Sequence, residues 1–386
     1  MRLLILLLIA TALVAGEAKH NHHPVGVSDG VASLDVCVDG VTTHLLLAVA
    51  TPGKPARVEH RRSLDGGGSW SEPVVIDVGA PPHTPSRTND LQIAARAEQV
   101  LAAWTTSGSG FMGSGPLVTA ISHDGGRSWS RGANPADDSN DKGHAFVDLA
   151  ADGTGKLHAV WLDGRSGQQG LIATASEDQG RSWRTNRVLD PRTCECCWNT
   201  VSTDGDVVAV LYRASEPRDM RLLFSPDRGT TWNDGVAAGA FNWAIEACPH
   251  VGGGLGWSGS LERRVLHAVV WTGADGVTGV HHLMTADAGR TWSAPHPFPV
   301  PRARQVSVAG DGEHVVVACS ANDGSGLAVW CQSSTDGGVS WGLPQRLSPA
   351  DEEIAHPKVI TTTQGIRVFW SAQPTDGAWT WRMAKP

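Results

Sequence analysis

The residues with the clearest potential for chemistry are soft metal ligands gathered in two short segments. The first segment is Cys194-Glu-Cys196-Cys197, and the second is Cys248-Pro-His250. Thiolate-rich sites favour Cu(I) or Zn(II), and an added imidazole also accommodates Cu(II). The two segments therefore indicate a site for a soft metal ion, with copper as the preferred ion and zinc as the alternative.

Other interpretations of these cysteines stay open. Cys194 or Cys196 could form a structural disulfide with Cys248, or the thiols could be inert. The chain has seven cysteines, so disulfides alone cannot use all of them. A disulfide-exchange motif is not indicated by Cys196 and Cys197, because these residues are adjacent and ordinary exchange motifs have two residues between the cysteines.

Histidines elsewhere are weaker candidates for the same ion. His144 and His356 each stand at the start of a predicted strand, and a His-rich tract near the N-terminus contains His20, His22 and His23. The alternatives are polar loop residues for the first two and a disordered polar lead-in for the tract.

The remaining cysteines have other predicted roles. Cys319 and Cys331 flank a predicted hairpin that turns at Asn322-Asp-Gly-Ser, and a cross-strand disulfide is expected between them. Cys37 lies in a predicted strand and is interpreted as a small buried residue.

An eight-residue pattern that occurs six times predicts the strands that must position these residues. Each copy has Ser or Thr, an Asp two residues later, a Gly two further on, and Ser or Thr followed by Trp. The six aspartates are Asp65, Asp124, Asp178, Asp227, Asp287 and Asp336. An Asp can accept backbone N–H groups within a turn, and a Gly can adopt the positive φ of a tight hairpin, so the pattern predicts a structural staple between two strands.

This pattern resembles the Asp-box, or bacterial neuraminidase repeat, of sialidase-like β-propellers. The resemblance implies an all-β fold in which the boxes lie on the rim away from the ligand-binding face. Successive box aspartates are between 49 positions (Asp178 to Asp227) and 60 positions (Asp227 to Asp287) apart, which suits one four-stranded antiparallel blade per repeat.

Short alternating segments predict three strands before each box and one after it. A further trio without a box follows the last copy, at 358–362, 366–370 and 379–383. The count therefore favours seven blades, with six as the alternative. The seventh blade lacks a fourth strand, which the segment Val25 to Val27 could supply and thereby close the ring.

The propeller arrangement explains how distant ligands could meet. In a propeller, the loops from the last strand of one blade to the first strand of the next all lie at one end of the central axis. Cys194-Glu-Cys196-Cys197 precedes the fourth blade and Cys248-Pro-His250 precedes the fifth. The two segments are therefore expected to be neighbours at the axial mouth.

The resemblance also raises a sialidase hypothesis, from which the sequence departs. Sialidases of this fold use an arginine cluster, an Asp acid/base and a Tyr nucleophile. The Arg-Ile-Pro motif expected before the first box is absent, and the single tyrosine, Tyr212, falls in a second strand. Arg87, Arg213 and Arg304 are candidate anion ligands without a motif. A non-sialidase is therefore preferred, with a sialidase-like exo-glycosidase or glycan-binding module as the alternative.

The N-terminus resembles a secretory signal peptide. Met1-Arg2 precedes an apolar run from Leu3 to Ala15, and small residues follow it. The expected organisation is a signal peptide at 1–18, a His-containing lead-in at 19–30 and an Asp-box propeller at 31–386. A periplasmic or secreted location, without membrane insertion after cleavage, follows from this expectation.

The net charge and the motifs of the chain restrict the classes of ligand that the sequence predicts. The net charge is −8, and a nucleic-acid partner would require a basic surface. Gly252-Gly-Gly-Leu-Gly256 lacks the Lys-Ser/Thr ending of a phosphate loop, so no nucleotide cofactor is expected and crowding of inner strands explains the glycines better. The expected partners are a metal ion or, alternatively, an acidic glycan; a scaffold for a protein partner is a further alternative.

Overall fold

A computed structural model describes residues 29–84, 91–110, 113–138, 143–165, 167–245, 249–260 and 263–386. These residues form seven antiparallel sheets, which are numbered here as blades in chain order. No α-helix occurs in the described ranges. In that part of the chain, no helix is long and apolar enough to cross a membrane.

The strands of the first four blades have the following bounds. Blade 1 contains β1 (Gly30–Asp39), β2 (Thr42–Thr51), β3 (Lys54–Ser63) and β4 (Val74–Ile76). Blade 2 contains β5 (Gln92–Arg96), β6 (Gln99–Ser107), β7 (Ser114–Ser122) and β8 (Ser130–Arg131). Blade 3 contains β9 (His144–Ala151), β10 (Leu157–Asp163), β11 (Gly170–Ser176) and β12 (Arg187–Asp190). Blade 4 contains β13 (Thr200–Asp204), β14 (Val207–Arg213), β15 (Met220–Ser225) and β16 (Val236–Ala237).

The last three blades complete the ring. Blade 5 contains β17 (Gly254–Ser260), β18 (Arg263–Thr272), β19 (Gly279–Thr285) and β20 (His296–Pro297). Blade 6 contains β21 (Arg304–Asp311), β22 (His314–Asn322), β23 (Leu327–Ser334) and β24 (Gln345–Arg346). Blade 7 contains β25 (Glu352–Thr362), β26 (Gly365–Pro374) and β27 (Thr380–Ala384).

The first strand of every blade lies on the inside of a closed ring. The inner strands β1, β5, β9, β13, β17, β21 and β25 each contact the next one, and β25 contacts β1. Within each sheet the strands pair in chain order. The seven-blade prediction is confirmed, and the six-blade alternative is wrong because the unboxed trio forms a sheet of its own.

The ring is closed by the first described residues. The Val31 amide donates to the Trp379 carbonyl at 2.9 Å, and the Trp379 amide donates to the Asp29 carbonyl at 3.0 Å. Blade 7 therefore has three strands in the described part of the chain. The predicted fourth strand at Val25 to Val27 lies outside the described residues.

Each Asp-box lies between the third and fourth strands of its blade and is held together by hydrogen bonds of its own residues. In blade 1 the Ser63 hydroxyl donates to Asp65 Oδ1 at 2.7 Å and accepts the Gly67 amide at 2.8 Å. Asp65 Oδ1 also accepts the Ser69 amide at 2.9 Å. The aspartate therefore accepts the N–H of the residue four positions later, and the same bond recurs in the other five boxes.

The core consists of apolar layers between neighbouring blades. Trp104, Trp161 and Trp370, at the ends of second strands, are buried in these layers. Small residues let the inner strands approach at the axis: a Cβ on Gly256 would lie 2.6 Å from the Val308 carbonyl oxygen. The predicted crowding of the glycine-rich segment is thus found between blades 5 and 6.

The predicted disulfide between Cys319 and Cys331 is not formed. Cys319 pairs with Trp330 and Cys331 pairs with Ala318 across β22 and β23, so the two cysteines are offset by one residue. Because successive side chains point to opposite faces of a strand, the thiols enter different apolar layers. Both are free, as is the half-buried Cys37 in β1.

Candidate metal centre and axial pocket

Three cysteines converge in the loop that joins blade 3 to blade 4. The loop is held at its start by the Thr193 amide, which donates to the Gln169 carbonyl at 2.8 Å, and by the Cys194 amide, which donates to the Arg213 carbonyl at 3.0 Å. A turn at Glu195 and Cys196 then reverses the chain. This anchoring places all three thiols in the apolar layer between the two blades.

The sulfur atoms lie at distances suited to one metal ion. Cys194 Sγ is 3.4 Å from Cys197 Sγ and 3.9 Å from Cys196 Sγ, and the three atoms lie within 4.8 Å of one another. A tetrahedral ion with Zn–S bonds of about 2.3 Å separates its sulfur ligands by about 3.8 Å. All three residues are buried, with at most 1% of their surface exposed.

The electrostatics of the trio favour a thiolate at Cys194. Hydrogen bonds from the Cys196 and Cys197 thiols, together with the Arg218 charge, lower the pKa of Cys194. Arg218 Nη1 donates to Cys194 Sγ at 3.2 Å. The pKa of Cys196 is raised by its hydrogen bond with Cys194, and burial raises the pKa of Cys197.

A second arginine places a buried positive charge beside the trio. Arg213 is 1% exposed, and its guanidinium donates to the carbonyl oxygens of Val251, Arg218 and Trp271. No carboxylate pairs with it in the described ranges. The Arg213 charge lowers the pKa of Cys197, although burial outweighs it.

The two other ligands predicted for this site have different outcomes. Cys248 lies outside the described residues. His250 lies in the wall of a pocket at the mouth of the central axis, with a left-handed backbone (φ 51°). It does not belong to the group of mutually close ligand atoms that the trio forms in the described part of the chain.

This axial pocket is lined by residues at the inner strands of blades 2 to 7. Its empty volume is about 650 Å³, a figure that includes the solvent-filled mouth. Asn199 lies in its wall, is 5% exposed, and donates from Nδ2 to the Phe146 carbonyl at 3.0 Å. Its Oδ1 has no hydrogen-bond partner among the described residues. Trp198 connects the pocket to the cysteine loop, and its ring meets the His356 ring edge-on at 5.5 Å.

Lys358, which lines the pocket, forms an ion pair with Asp35. Lys358 Nζ is 3.0 Å from Asp35 Oδ1, and Asp35 Oδ2 accepts the Ile93 amide at 2.9 Å. Asp148 Oδ2 accepts the Val201 amide at 2.7 Å. Burial raises the pKa of Asp148 to about 7, in spite of the opposing effect of Lys358. These side chains hold neighbouring inner strands together around the axis.

His144 belongs to a different cluster. Its Nε2 is 2.9 Å from Asp138 Oδ1 and 3.7 Å from Asp163 Oδ2. Arg165 pairs with Asp163 at 2.6 Å and so neutralises that carboxylate. The carboxylates of Asp138 and Asp163 and the imidazole of His144 form a second set of mutually close ligand atoms, separate from the cysteines. His20, His22 and His23 lie outside the described residues.

Of the residues considered for a sialidase site, the three that the structure describes, Tyr212, Arg213 and Arg304, do not line the pocket. The Tyr212 hydroxyl donates to Asp190 Oδ2 at 2.7 Å in the layer between blades 3 and 4, and burial raises its pKa. Arg213 is engaged with carbonyl groups, and Arg304 lies 5.2 Å over the Trp271 ring. Arg87 lies outside the described residues.

Sequence reasoning missed Arg218, Asn199, Asp138 and Asp163 as neighbours of the candidate ligands. No motif marks them, because Arg218, Asn199 and Asp138 are brought into place by loops of the propeller and Asp163 by the end of strand β10. The adjacency of Trp198 and Asn199 to Cys197 is the one sequence signal that could have indicated a link to the axial mouth.

A sequence model described as the BNR repeat-like domain matches residues 34–237, which is more than half of the chain. The chain belongs to the BNR repeat-like domain family. This family assignment agrees with the six Asp-boxes and the ring of blades. A search of curated protein sequences found no significant match to this BNR repeat-like protein.

Solved structures share the fold at low sequence identity. An ulvan lyase of polysaccharide lyase family 25, bound to a GlcA–Rha3S glycan, has a TM-score of 0.57 at 10% identity, with 93% of each chain covered. A Trypanosoma rangeli sialidase bound to the inhibitor DANA has a TM-score of 0.51 at 12% identity, with 80% of this chain and 55% of that chain covered. A Dyadobacter fermentans protein of unknown function has a TM-score of 0.50 at 13% identity, covering 80% of this chain and 94% of that one. The BNR repeat-like chain therefore spans about half the length of the sialidase.

Proposed function

We propose that this BNR repeat-like protein is exported and binds a soft metal ion through Cys194, Cys196 and Cys197. Copper is the preferred ion and zinc the alternative, with Cys248 and His250 as further ligands. The observation that carries the proposal is the convergence of three buried sulfurs at 3.4 and 3.9 Å in one turn. Export is supported by the signal-like segment at 1–18.

Charge balance favours copper as Cu(I). Three thiolates supply three negative charges, and Arg213 and Arg218 supply two positive charges at the same place. A monovalent ion makes this buried group of three thiolates and two arginines neutral, whereas a divalent ion leaves a net positive charge in an apolar layer unless Cys248 joins as a fourth thiolate. Burying an uncompensated charge is unfavourable, and thiolates are the ligands that Cu(I) prefers.

Metal analysis of anaerobically purified protein tests the proposal. Wild-type protein is expected to hold one ion per chain, and Cys196→Ser is expected to lose most of it. Cys37→Ser is the matched control, because Cys37 is a free cysteine in a different blade. A metal-free wild type in which Cys194 and Cys248 are fully paired as a disulfide would refute the proposal.

A glycan ligand in the axial pocket is the second candidate function. The observation that favours it is Asn199, a buried amide in the pocket wall whose Oδ1 has no partner in the described ranges. The ulvan lyase and sialidase neighbours carry a glycan and a sialidase inhibitor, respectively. Binding on a glycan array that is lost in Asn199→Ala would support this candidate, and an array without signal would end it.

Sialidase turnover is not part of this second candidate. Tyr212 lies away from the pocket-lining residues and is bonded to Asp190. Release of the fluorophore from a fluorogenic sialoside, abolished in Tyr212→Phe, would restore sialidase activity as a hypothesis.

A further inference from the structure

Two sulfurs of the cysteine trio are placed to bond to each other. Cys194 and Cys197 are the first and fourth residues of the turn at Glu195 and Cys196. The Cα atoms at the ends of a β-turn lie within about 7 Å, which overlaps the range of roughly 4.4–6.8 Å found across disulfides. Their Sγ atoms, 3.4 Å apart, form the closer of the two sulfur pairs that involve Cys194.

We infer that Cys194 and Cys197 form a reversible dithiol–disulfide couple that controls whether the trio can hold a metal ion. This inference rests on the proposed metal-binding function. The spacing of the pair is Cys-x-x-Cys, the spacing of exchange motifs, which adjacent Cys196 and Cys197 do not provide. A disulfide between those adjacent residues would close a small ring far from ordinary disulfide geometry.

The oxidant that fits this site is small. The three cysteines are at most 1% exposed, so a protein disulfide cannot reach them without opening the layer between the blades. A hydroperoxide is much smaller and needs only a small local opening of that layer. We therefore assign hydrogen peroxide or an alkyl hydroperoxide as the oxidant class.

The reaction balances in two steps. The Cys194 thiolate attacks one peroxide oxygen, the O–O bond breaks, and the second oxygen leaves as hydroxide or alkoxide that takes up a proton; Cys194 becomes a sulfenic acid. The Cys197 sulfur then attacks Cys194 Sγ, the S–O bond breaks, and the hydroxide leaves with the Cys197 proton as water. Two thiols and one hydrogen peroxide give one disulfide and two waters, so the sulfurs lose two electrons and the peroxide gains them.

The disulfide would remove two of the three thiolate ligands. Only Cys196 would remain in the trio, and the site, without two of its thiolates, would hold a soft ion too weakly to compete with a chelator even with Cys248 and His250 as ligands. The protein would thus bind metal when reduced and release it when oxidised, and a thiol reductant would restore the site.

The first test maps the disulfide in reduced, metal-free, full-length protein treated with one equivalent of hydrogen peroxide. Free thiols are alkylated and the peptides are analysed by mass spectrometry without reduction. A Cys194–Cys197 disulfide is expected in the wild type and also in Cys196→Ser and Cys248→Ser. Cys197→Ser is expected to accumulate a Cys194 sulfenic acid that reacts with dimedone. A Cys194–Cys248 or Cys194–Cys196 disulfide, or no disulfide, would overturn the inference.

The second test uses the wild type alone, so it does not depend on the folding of any variant. Protein loaded with Zn(II), which has no redox chemistry of its own, is treated with hydrogen peroxide in the presence of a coloured chelator. At least tenfold more zinc is expected to be released than from untreated protein, and dithiothreitol is expected to restore binding.

The outcomes separate the two proposals. Metal retained by protein that contains the Cys194–Cys197 disulfide would overturn the redox control and leave metal binding standing. A reduced protein that binds neither Cu(I) nor Zn(II) would refute the metal-binding proposal itself, and with it the control.

Discussion

Individual cysteines in this protein differ in what surrounds the sulfur. Cys194 Sγ accepts a hydrogen bond from Arg218, whereas Cys319 and Cys331 lie in apolar layers where burial raises the pKa of both thiols. Low pKa and a cationic neighbour mark reactive or metal-binding cysteines, and apolar burial marks inert ones. At the residue scale, the Arg218 contact therefore distinguishes Cys194 from the two structural thiols.

Arg218→Gln is expected to weaken metal binding about tenfold, as is common when a group that orients a metal ligand is removed. The guanidinium both donates to Cys194 Sγ and offsets the charge of the thiolates. Competition with a chelator of known affinity measures the change. The nearby exposed Arg192, replaced by Gln, serves as the control and is expected to bind metal as the wild type does.

Tyr212→Phe is expected to reduce the free energy of unfolding by about 1–2 kcal/mol. The substitution removes the donor of the hydrogen bond to Asp190 and leaves that carboxylate without it. Urea denaturation measures the difference. A variant as stable as the wild type would show that the bond contributes nothing, and any loss of metal would place Tyr212 in the site.

At the scale of strands, register decides which side chains meet. Neighbouring strands pair residue by residue, so an offset of one position sends two side chains to opposite faces. This offset explains why Cys319 and Cys331, on neighbouring strands of one hairpin, have their thiols on opposite faces of the sheet.

The two hairpin cysteines are therefore expected to remain free thiols under oxidising conditions. Denaturation with alkylating reagent and without reductant should label both Cys319 and Cys331, and mass spectrometry of the peptides detects the labels. Recovery of a peptide pair joined through these residues would contradict the register.

Histidine pairs couple neighbouring blades through the Asp-boxes. In blade 1, His44 and His60 are hydrogen bonded at 3.0 Å, and His60 is bonded to the Gly126 carbonyl of the blade 2 box. In blade 5, His267 and His282 are bonded at 2.8 Å. Burial lowers the pKa of His60 and of His282 to about 3. These rings are neutral in the folded protein at pH 5, whereas unfolded histidines are protonated.

The folded protein is therefore expected to lose stability as the pH falls below about 6.5. A depressed histidine pKa makes the unfolded state bind more protons, so its contribution is complete above the unfolded pKa and declines towards the folded pKa. At pH 5 each such histidine is expected to cost about 2 kcal/mol relative to pH 8. Urea midpoints of wild type and His60→Gln, measured from pH 8 to 5, test this.

The variant should show the smaller loss. His123→Gln is the control, because His123 is exposed, and its pH dependence is expected to match the wild type. Parallel profiles for wild type and His60→Gln would contradict the assignment of the acid sensitivity to the buried pair.

At the scale of the whole molecule, a small set of contacts between blade 7 and blade 1 closes the ring. Blade 7 is joined to blade 1 by the backbone bonds between Trp379 and the segment Asp29–Val31, and by the Lys358–Asp35 ion pair at the axis. Both contacts link the two ends of the described chain. An open ring would expose the edge of blade 7.

Gly30→Ala is expected to lower the free energy of unfolding by more than about 2 kcal/mol, from backbone strain and a clash. Gly30 has φ +99°, and its added Cβ would lie 2.0 Å from the Trp379 carbonyl oxygen. Gly40→Ala is the matched control: Gly40 also has a positive φ (+57°) but open space around it, so a smaller loss of about 1 kcal/mol is expected. Thermal and urea denaturation compare the two, and equal losses would show that closure at Gly30 is unimportant.

The repeated residues of the chain were sufficient to predict the architecture. Six copies of Ser/Thr, Asp, Gly and Trp defined the blades, and the unboxed strands after Trp341 defined the seventh, because hairpin chemistry and strand alternation are local properties of the sequence. The same register placed Cys194, Cys196 and Cys197 in a loop before an inner strand. What could not be predicted depends on contacts between blades.

The candidate metal site could be predicted only in part from the local sequence. Cysteine type and spacing suggested a soft metal, but the distances between the sulfurs, the approach of Arg218 and the unpaired charge of Arg213 arise from loops that meet only when the ring closes. The same reason separates His144 from the cysteines, because the fold pairs it with Asp138 and Asp163 instead. Local hydrogen bonding follows from the order of residues, whereas the neighbours of a side chain across the ring follow from how the blades pack.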